Sequence, residues 1–232
     1  SAAAPAAPSR PAPAGVPALE LERVAHRFGS HWVLRGCSLA VPPGAGVALL
    51  GSNGAGKTTL LRIACTLLTP TRGGGRVFGH DLARDADAVR RAVGLLGAAP
   101  GVYEDLTAAE NLAFACRMWG ERPDPRRLAR ALDEAGLAAA RPGVRVREFS
   151  SGMRRRVALA RLLLRPPRLL LLDEPYAAFD PDGVERVNAL VARVRAGGGA
   201  AVVATHDLAR ALPVVDRVVR LENGLLAAAE AG

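Results

Sequence analysis

The sequence lacks a long hydrophobic run. A membrane-spanning helix needs roughly 18 or more predominantly apolar residues in succession, and no apolar stretch of this chain approaches that length. The longest candidates, at residues 169–172 and 200–204, are soon followed by Asp173 and His206. If the protein serves a membrane, we therefore expect it to act through a partner chain.

Aromatic residues are also scarce, at 4% of the 232 residues, although the net charge is +9. Proteins that bind nucleic acids usually gather basic residues on one face and add aromatic side chains that stack on bases. Here the basic residues are spread along the chain. No specific nucleic-acid partner is therefore expected, and a face near anionic lipid headgroups would explain the charge equally well.

Lysine is almost absent. The chain has 31 Lys and Arg residues, and only Lys57 among them is a lysine. The planar fork of an arginine does not replace a compact ammonium between phosphates, so the single lysine marks a position that needs a point charge.

Cysteine is rare as well, and no two cysteines form a CxxC pair. Cys37, Cys65 and Cys116 are odd in number and far apart, which favours buried or half-buried thiols in a reducing cytoplasm over a disulfide or a metal site. Residues 1–17 are mostly Ala and Pro and lack the basic and Leu-rich segments of a signal peptide. Because dense proline does not sustain helices or sheets, residues 1–17 are expected to be a disordered lead.

Short apolar runs alternate with helical patterns, which predicts an α/β fold. Strands are expected at residues 19–24, 33–41, 47–50, 76–78, 93–96, 169–172, 201–204 and 217–221. Helices are expected at residues 58–68, 107–119, 126–135, 151–164 and 184–195. A capping box of Thr107 and Glu110 would open the second helix. A helical insertion at about residues 103–165 is thus predicted to interrupt the α/β core.

A phosphate-binding loop is predicted between the strand at 47–50 and the next helix. Residues 51–58 fit the pattern GxxxxGK[ST], whose glycines let backbone N–H groups curl around phosphates at a helix N-terminus. Lys57 would bridge β- and γ-phosphate oxygens, and the Thr58 hydroxyl would hold Mg²⁺. The alternative is a Gly-rich turn formed by chance. The predicted nucleotide-binding residues are Gly51, Ser52, Asn53, Gly54, Ala55, Gly56, Lys57, Thr58 and Thr59.

Four leucines at 169–172 lead into two carboxylates, Asp173 and Glu174. In isolation this would be a core strand with an acidic end. Downstream of a phosphate loop, it predicts that Asp173 binds Mg²⁺ through water and that Glu174 polarises the attacking water. Positioning and electrostatics, rather than covalent chemistry, would then lower the barrier to phosphoryl transfer.

A third motif lies upstream of Asp173, at residues 149–156, with the sequence Phe-Ser-Ser-Gly-Met-Arg-Arg-Arg. Ser150 and Gly152 stand where a helix begins, so they offer a hydroxyl and free backbone N–H groups to an anion. Alone, this would be an ordinary helix N-cap. In this order and spacing, the three motifs resemble the nucleotide-binding domain of ATP-binding-cassette (ABC) transporters over residues 18–227, which leaves a tail at 228–232.

The resemblance implies a P-loop NTPase (RecA-like) core with an N-terminal antiparallel β-subdomain and an inserted α-helical subdomain. It implies binding of ATP and Mg²⁺. It also implies that a signature motif meets the γ-phosphate bound by the opposite protomer, so that two composite sites form only in a head-to-tail homodimer. The matching signature residues are Phe149, Ser150, Ser151, Gly152 and Met153.

Three more positions match the family one by one. Phe28 resembles the aromatic residue that stacks on adenine, with an ordinary core phenylalanine as the alternative. Asp180 lies in a segment like the family's D-loop and is expected to cross the dimer interface. His206 resembles the switch histidine that contacts the γ-phosphate, and it completes the predicted catalytic set with Glu174 and Lys57.

The chain also departs from the family pattern. Ala98 stands where the family has a Gln that touches Mg²⁺ and couples to the membrane partner, so standard metal and water coordination is not expected at that edge. Ser151 and Met153 stand where Gly and Gln are commoner in the signature. Ser150 and Gly152 are retained.

Within the family, residues 95–112 together with 173–176 resemble the haem-exporter ATPases of cytochrome c maturation. Exporter ATPases for drugs, lipids and polysaccharides share much of this pattern, but a chain that stops soon after residue 224 is expected to lack the C-terminal extension common in drug-export relatives. A soluble ABC ATPase without a transport role is a third alternative, although such chains usually carry two cassettes or a long coiled coil. The resemblance implies integral membrane permease subunits as partners, with this chain peripheral on the cytoplasmic face of the inner membrane.

Overall fold

Two β-sheets organise the part of the chain that the structure describes. The computed structural model describes residues 15–97, 99, 101–137, 143–177 and 179–228. Most of the predicted lead at 1–17 and of the predicted tail at 228–232, together with Ala98, therefore lies outside the described residues. With strands numbered in chain order, the first sheet contains β1 (Leu19–Phe28), β2 (His31–Val41), β4 (Arg72–Val77) and β5 (His80–Asp81). They are antiparallel, in the order β2-β1-β4-β5.

The second sheet has six strands and is mostly parallel. It contains β3 (Gly46–Leu50), β6 (Val93–Leu96), β7 (Leu169–Asp173), β8 (Ala200–Ala204), β9 (Arg217–Glu222) and β10 (Leu225–Ala228). The order is β10-β9-β3-β8-β7-β6, and β10 alone in this sheet runs antiparallel to its neighbour. Every residue of β7 and β8 is buried, as expected for apolar strands covered on both faces.

Helices cover both faces of the second sheet. They are α1 (Lys57–Ala64), α2 (Ala86–Ala92), α3 (Ala108–Met118), α4 (Pro125–Glu134), α5 (Ser151–Leu164), α6 (Pro181–Ala196) and α7 (Leu208–Ala211), with 3₁₀ turns at Val146–Glu148 and Leu212–Val214. Alternate leucines of β7 separate two cores. Leu169 and Leu171 pack in the core that includes α1 and the first sheet, whereas Leu170 and Leu172 pack in the core that includes α5 and α6.

The helices between β6 and β7 form the inserted part of the fold. α3, α4 and α5 contact one another, and a small core of Ala108, Leu137, Val146, Phe149 and Val157 lies beneath them. Across the described ranges, no helix combines the length and the apolar character needed to cross a bilayer.

Side-chain caps set most of the longer helix starts. The Thr107 hydroxyl accepts from the Glu110 N–H at 3.2 Å, and the Glu110 carboxylate accepts from the Thr107 N–H at 2.8 Å, which confirms the predicted capping box. Asp124, Ser150 and Asp180 likewise cap α4, α5 and α6 with side-chain oxygens. Thr, Asp and Ser are residue types that favour the first position of a helix, so these helix starts are set by the local sequence.

One predicted helix end is wrong. The pattern at 58–68 predicts a helix to residue 68, but α1 stops at Ala64. The backbone turns at Thr66, whose φ is 60°, and the Leu67 N–H donates back to the Arg62 carbonyl at 2.8 Å. Apolar spacing continues beyond this turn because Leu68 packs against the core from a loop.

Candidate active site

The candidate site forms where three neighbouring parallel strands end. The loop of residues 51–56 follows β3, Asp173 is the last residue of β7, and His206 follows shortly after β8. β8 lies between β3 and β7 in the sheet. Ligands of open α/β sheets bind at this carboxyl edge, so the topology brings together residues that are far apart in sequence.

The loop after β3 needs glycine at two positions. Gly54 and Gly56 have φ values of 82° and 105°, a region that side-chain-bearing residues rarely occupy. Gly56 is also the N-cap of α1. The loop therefore delivers the chain into the N-terminus of a helix, where unpaired backbone N–H groups and the helix dipole favour an anion.

Lys57 is enclosed by the loop that precedes it and is only 6% exposed. Its Nζ donates to the carbonyl oxygens of Gly51 at 2.6 Å and Ser52 at 3.2 Å. Nζ also lies 3.4 Å from Oε1 of Glu174. An ammonium carries three donors on a flexible stem, so this group can serve phosphate oxygens that enter the loop.

Thr58 and Asp173 meet from different elements. The Thr58 hydroxyl, in the first turn of α1, donates to Oδ2 of Asp173 at 2.7 Å. Asp173 is buried, and within the described ranges its Oδ1 has no hydrogen-bond partner. An unpaired carboxylate oxygen is costly to bury, so the pair presents an acceptor suited to a cation.

Glu174 has an unusual backbone conformation. Its φ is 47°, which for a residue other than glycine costs on the order of 1–3 kcal/mol and clusters at functional sites. Its N–H donates to the Ala204 carbonyl at 2.8 Å, while its Oε2 lies 2.9 Å from Nδ1 of His206. The carboxylate therefore lies between the histidine after β8 and the ammonium of Lys57.

Arg155 is a residue that the motif analysis did not single out. The residue is 7% exposed, and its guanidinium donates to the carbonyl oxygens of Glu174 at 2.9 Å and Ala177 at 2.5 Å. Burial lowers the pKa of Arg155 from its ordinary value, and the nearby carboxylates of Asp173 and Glu174 act in the opposite direction. In the sequence, Arg155 is the second of three consecutive arginines at 154–156, a pattern typical of a solvated surface. The fold places it on the buried side of α5.

A cleft of about 300 Å³ lies between the loop after β3 and the carboxylates of Asp173 and Glu174, and neither Arg155 nor His206 lines it. Its lining includes most of the predicted nucleotide-binding loop together with both carboxylates and one residue of β2. The lining residues are Val33, Ser52, Asn53, Gly54, Gly56, Lys57, Thr58, Thr59, Asp173 and Glu174.

The remaining predicted residues do not line this cleft in the described structure. Phe28, at the end of β1, is 53% exposed and contacts His26 edge to face at 4.7 Å between ring centroids. Asp180 is exposed at the start of α6, where it accepts from Arg156 at 2.6 Å.

The signature residues lie at the start of α5. Ser150 and Ser151 are exposed, whereas Phe149 is buried and Gly152 and Met153 are partly buried. The Ser150 hydroxyl accepts from the Met153 N–H at 3.2 Å, so it is the N-cap that the sequence predicts. Ala98 lies outside the described residues.

The chain is similar in sequence to known ATP-binding proteins. The sequence profile of the ABC transporter family matches residues 34–177. The cytochrome c biogenesis ATP-binding export protein CcmA of Xanthomonas axonopodis pv. citri is 45% identical over 180 residues, which is 77% of this chain and 82% of the relative. The daunorubicin/doxorubicin resistance ATP-binding protein DrrA of Streptomyces peucetius is 35% identical over 89% of this chain and 63% of its own length.

Solved structures share the fold. The ATP-binding subunit of an ABC transporter superposes with a TM-score of 0.81 at 31% identity, covering 90% of this chain and 89% of that one. The dimeric post-hydrolysis form of the ATP-binding cassette MJ0796, bound to ADP and phosphate, superposes with a TM-score of 0.80 at 25% identity, covering 92% and 100%. The predicted fold class and family are thus confirmed: this chain belongs to the ABC transporter family, as an ATP-binding subunit that hydrolyses ATP.

Proposed function

We propose that this chain powers a membrane exporter and that its ATP hydrolysis drives the haem-handling step of cytochrome c maturation. The observation that carries the proposal is the 45% identity to a cytochrome c biogenesis ATP-binding export protein over 82% of that protein's length. A second such protein, from Cupriavidus metallidurans, is 41% identical over 89% of its length.

In the proposed mechanism, the loop after β3 and Lys57 bind the phosphates of ATP. The ammonium of Lys57 exchanges its contacts with the Gly51 and Ser52 carbonyls for β- and γ-phosphate oxygens, where a fixed positive charge stabilises the transition state. The exposed ring of Phe28 supplies a flat surface on which adenine stacks.

Thr58 and Asp173 are proposed to hold Mg²⁺. The donor set fits this ion, because a hydroxyl and a carboxylate meet at 2.7 Å and Asp173 keeps an oxygen that no described residue satisfies. Magnesium prefers hard oxygen ligands and retains several waters. When bound, the ion neutralises charge on the phosphate oxygens.

Glu174 is the proposed general base. It would accept a proton from the attacking water while its backbone stays fixed, and His206, 2.9 Å from the carboxylate, would orient it and contact the γ-phosphate. Positioning of this kind accounts for most of the rate in phosphoryl transfer, since the protein has little covalent chemistry to supply.

We further propose that complete sites form between two copies of this chain. The signature residues do not line their own chain's cleft, yet Ser150 is exposed at a helix start, where a hydroxyl and free N–H groups suit a γ-phosphate from another protomer. The exposed Asp180 would then lie near the dimer interface. Dimeric forms of a structurally similar cassette support this arrangement.

An integral membrane permease is the proposed second partner. A groove of about 860 Å³ lies between the second sheet and the inserted helices, and it is lined by apolar and aromatic side chains and by arginines. It borders Gly101 and Val102, next to the segment that in the family couples to the membrane partner. Docking there would place the chain peripherally on the cytoplasmic face of the inner membrane.

A second candidate is an exporter of drugs, lipids or polysaccharides. The observation that favours it is the 35% identity to a daunorubicin/doxorubicin resistance ATP-binding protein over 89% of this chain. Only 63% of that relative is covered, whereas the cytochrome c biogenesis proteins are covered over more of their length.

The catalytic part of the proposal is tested with Glu174→Gln. Without the general base, the variant is expected to bind ATP and accumulate as a dimer while losing hydrolysis. Light scattering with saturating Mg-ATP and a phosphate-release assay measure both properties. A monomer under these conditions, or turnover near that of the wild type, would contradict the proposal.

The biological part is tested by covalently attached c-type haem in membranes of a strain that lacks this gene. Loss of c-haem that is rescued by the wild-type gene, but not by Lys57→Ala, supports a role in cytochrome c maturation. Normal c-haem in the deletion strain would contradict it and favour the general exporter.

A further inference from the structure

We propose that Arg155 is a positioning residue for ATP hydrolysis, which holds the backbone of Glu174 so that the carboxylate faces the attacking water. The inference rests on the proposed role of Glu174 and adds the residue that fixes its place. Arg155 acts through another residue, and no contact with the nucleotide is required of it.

The backbone of Glu174 needs restraint on both sides. A φ of 47° persists for a residue other than glycine only when its surroundings determine it. On one side, the Glu174 N–H is held by the Ala204 carbonyl of β8 at 2.8 Å. On the other side, the Glu174 carbonyl accepts from Arg155 at 2.9 Å and from the Ala177 N–H at 3.3 Å.

The same guanidinium reaches both ends of the turn that follows β7. Its Nη1, which donates to the Glu174 carbonyl, also donates to the Ala177 carbonyl at 2.5 Å, so one nitrogen joins residues 174 and 177. Arg155 belongs to α5, whose first turn carries the signature residues. The position of Glu174 therefore depends on an element outside its own strand and turn.

The burial of Arg155 makes this restraint strong. The residue is 7% exposed, and a guanidinium removed from water needs all of its contacts to be well made. Two of those contacts are backbone carbonyls of the Glu174 turn, so movement of the turn would take both hydrogen bonds away from a buried guanidinium. An ordinary solvent-exposed arginine would place no such condition on the turn.

Arg155→Lys is the informative substitution. It keeps the positive charge, but the lysine side chain is shorter, so its ammonium does not reach the position from which Nη1 of Arg155 donates to both carbonyls. The matched control is Arg195→Lys. Arg195 also donates to two backbone carbonyls, those of Gly44 at 2.9 Å and Val214 at 2.7 Å. These contacts lie near the first residue of β3, at the end of the strand opposite the phosphate loop.

The expected result is a separation of binding from turnover. Because misplacement of a catalytic group by about 1 Å can cost on the order of a hundredfold, Arg155→Lys should lower kcat by about 10- to 100-fold. ATP affinity, measured with a fluorescent nucleotide, should stay within about twofold, because the phosphate-binding loop is untouched. Arg195→Lys should keep kcat within about twofold even if its Tm falls.

A combined variant locates the defect in the chemical step. Arg155→Lys in the Glu174→Gln background should still form the ATP-bound dimer, with the ATP affinity of Glu174→Gln alone. Arg155→Gln, which removes the buried charge, is the second variant if the lysine variant does not fold, and the same loss of kcat is expected.

Three results would overturn the inference. They are a kcat of the Arg155 variant within about twofold of wild type, a parallel loss of kcat and ATP affinity, or a combined variant that does not dimerise with ATP. The parent Glu174→Gln variant separates this failure from failure of the proposed function. If that parent keeps normal turnover, the role of Glu174 is wrong whatever the Arg155 variants do.

Discussion

Lys57→Arg tests whether the phosphate site needs a point charge. The ammonium is almost fully buried in a cleft of about 300 Å³, with Nζ 2.6 Å from the Gly51 carbonyl and 3.4 Å from Glu174. A guanidinium is longer, wider and planar. It keeps the charge but cannot place it at the position of Nζ without displacing the loop or the Glu174 carboxylate.

The expected loss follows from this misplacement. Removing one preorganised electrostatic contact to a developing negative charge costs about 10²- to 10³-fold in kcat, or about 3–4 kcal/mol. Phosphate release at saturating Mg-ATP measures kcat, and thermal unfolding checks that the fold is intact. Arg193→Lys, at an ion pair with Glu134 of 3.0 Å outside the cleft, is the matched control and should keep normal turnover. A Lys57→Arg turnover within about threefold of the wild type would refute the point-charge reasoning.

Three further predictions concern binding, pH and thiol reactivity. Because the Phe28 ring is exposed and base–aromatic stacking is worth about 1–3 kcal/mol, Phe28→Ala should weaken ATP binding by about 5- to 100-fold with little change in Tm; unchanged affinity would contradict the stacking role. Burial raises the pKa of Tyr176 from 10.0 to about 12, so the folded state holds the phenol proton more tightly than the unfolded state does. The contribution of this group to the free energy of unfolding is therefore fully present below pH 10 and is lost as the pH rises towards 12. Tyr176→Phe, which also removes the hydrogen bond to Asn188, should flatten that part of the stability profile in urea unfolding, and an unchanged slope would contradict the assignment. The three cysteines are buried, and burial raises the pKa of Cys37 to about 11, so the native protein should resist a thiol reagent that labels all three after unfolding; rapid native labelling would be the contrary result.

Much of the fold could be predicted because its signals are local. Each signal is contained within a few neighbouring residues. Examples are the glycines and Lys57 of the phosphate loop, the buried leucines before Asp173 and the Thr107 capping box. Such patterns depend on backbone conformation, burial on both faces and capping. They identify elements without any knowledge of their neighbours.

Features that depend on contacts between distant elements could not be predicted. β4 includes three consecutive glycines at 73–75, which lie outside the strand predicted at 76–78. In the fold, β1 approaches so closely that a Cβ on Gly75 would lie 2.8 Å from Cδ2 of Leu21 and would also collide with the Glu20 carbonyl. Arg155 was missed for the same reason, since only the tertiary structure brings α5 against the turn after Glu174.

We propose above that each complete ATP site joins the phosphate loop of one copy to the signature motif of the other. Mixing two inactive variants tests it directly. Lys57→Ala disables a phosphate loop and Ser150→Arg disables a signature motif, so a mixed head-to-tail dimer contains one fully intact site and one doubly disabled site.

Phosphate release is measured for each variant alone and for an equimolar mixture. If subunits exchange freely, half of the dimers are mixed, and the mixture should recover about a quarter of the wild-type rate. If each site is instead complete within one chain, the mixture will stay as inactive as its components, and the composite-site account is wrong.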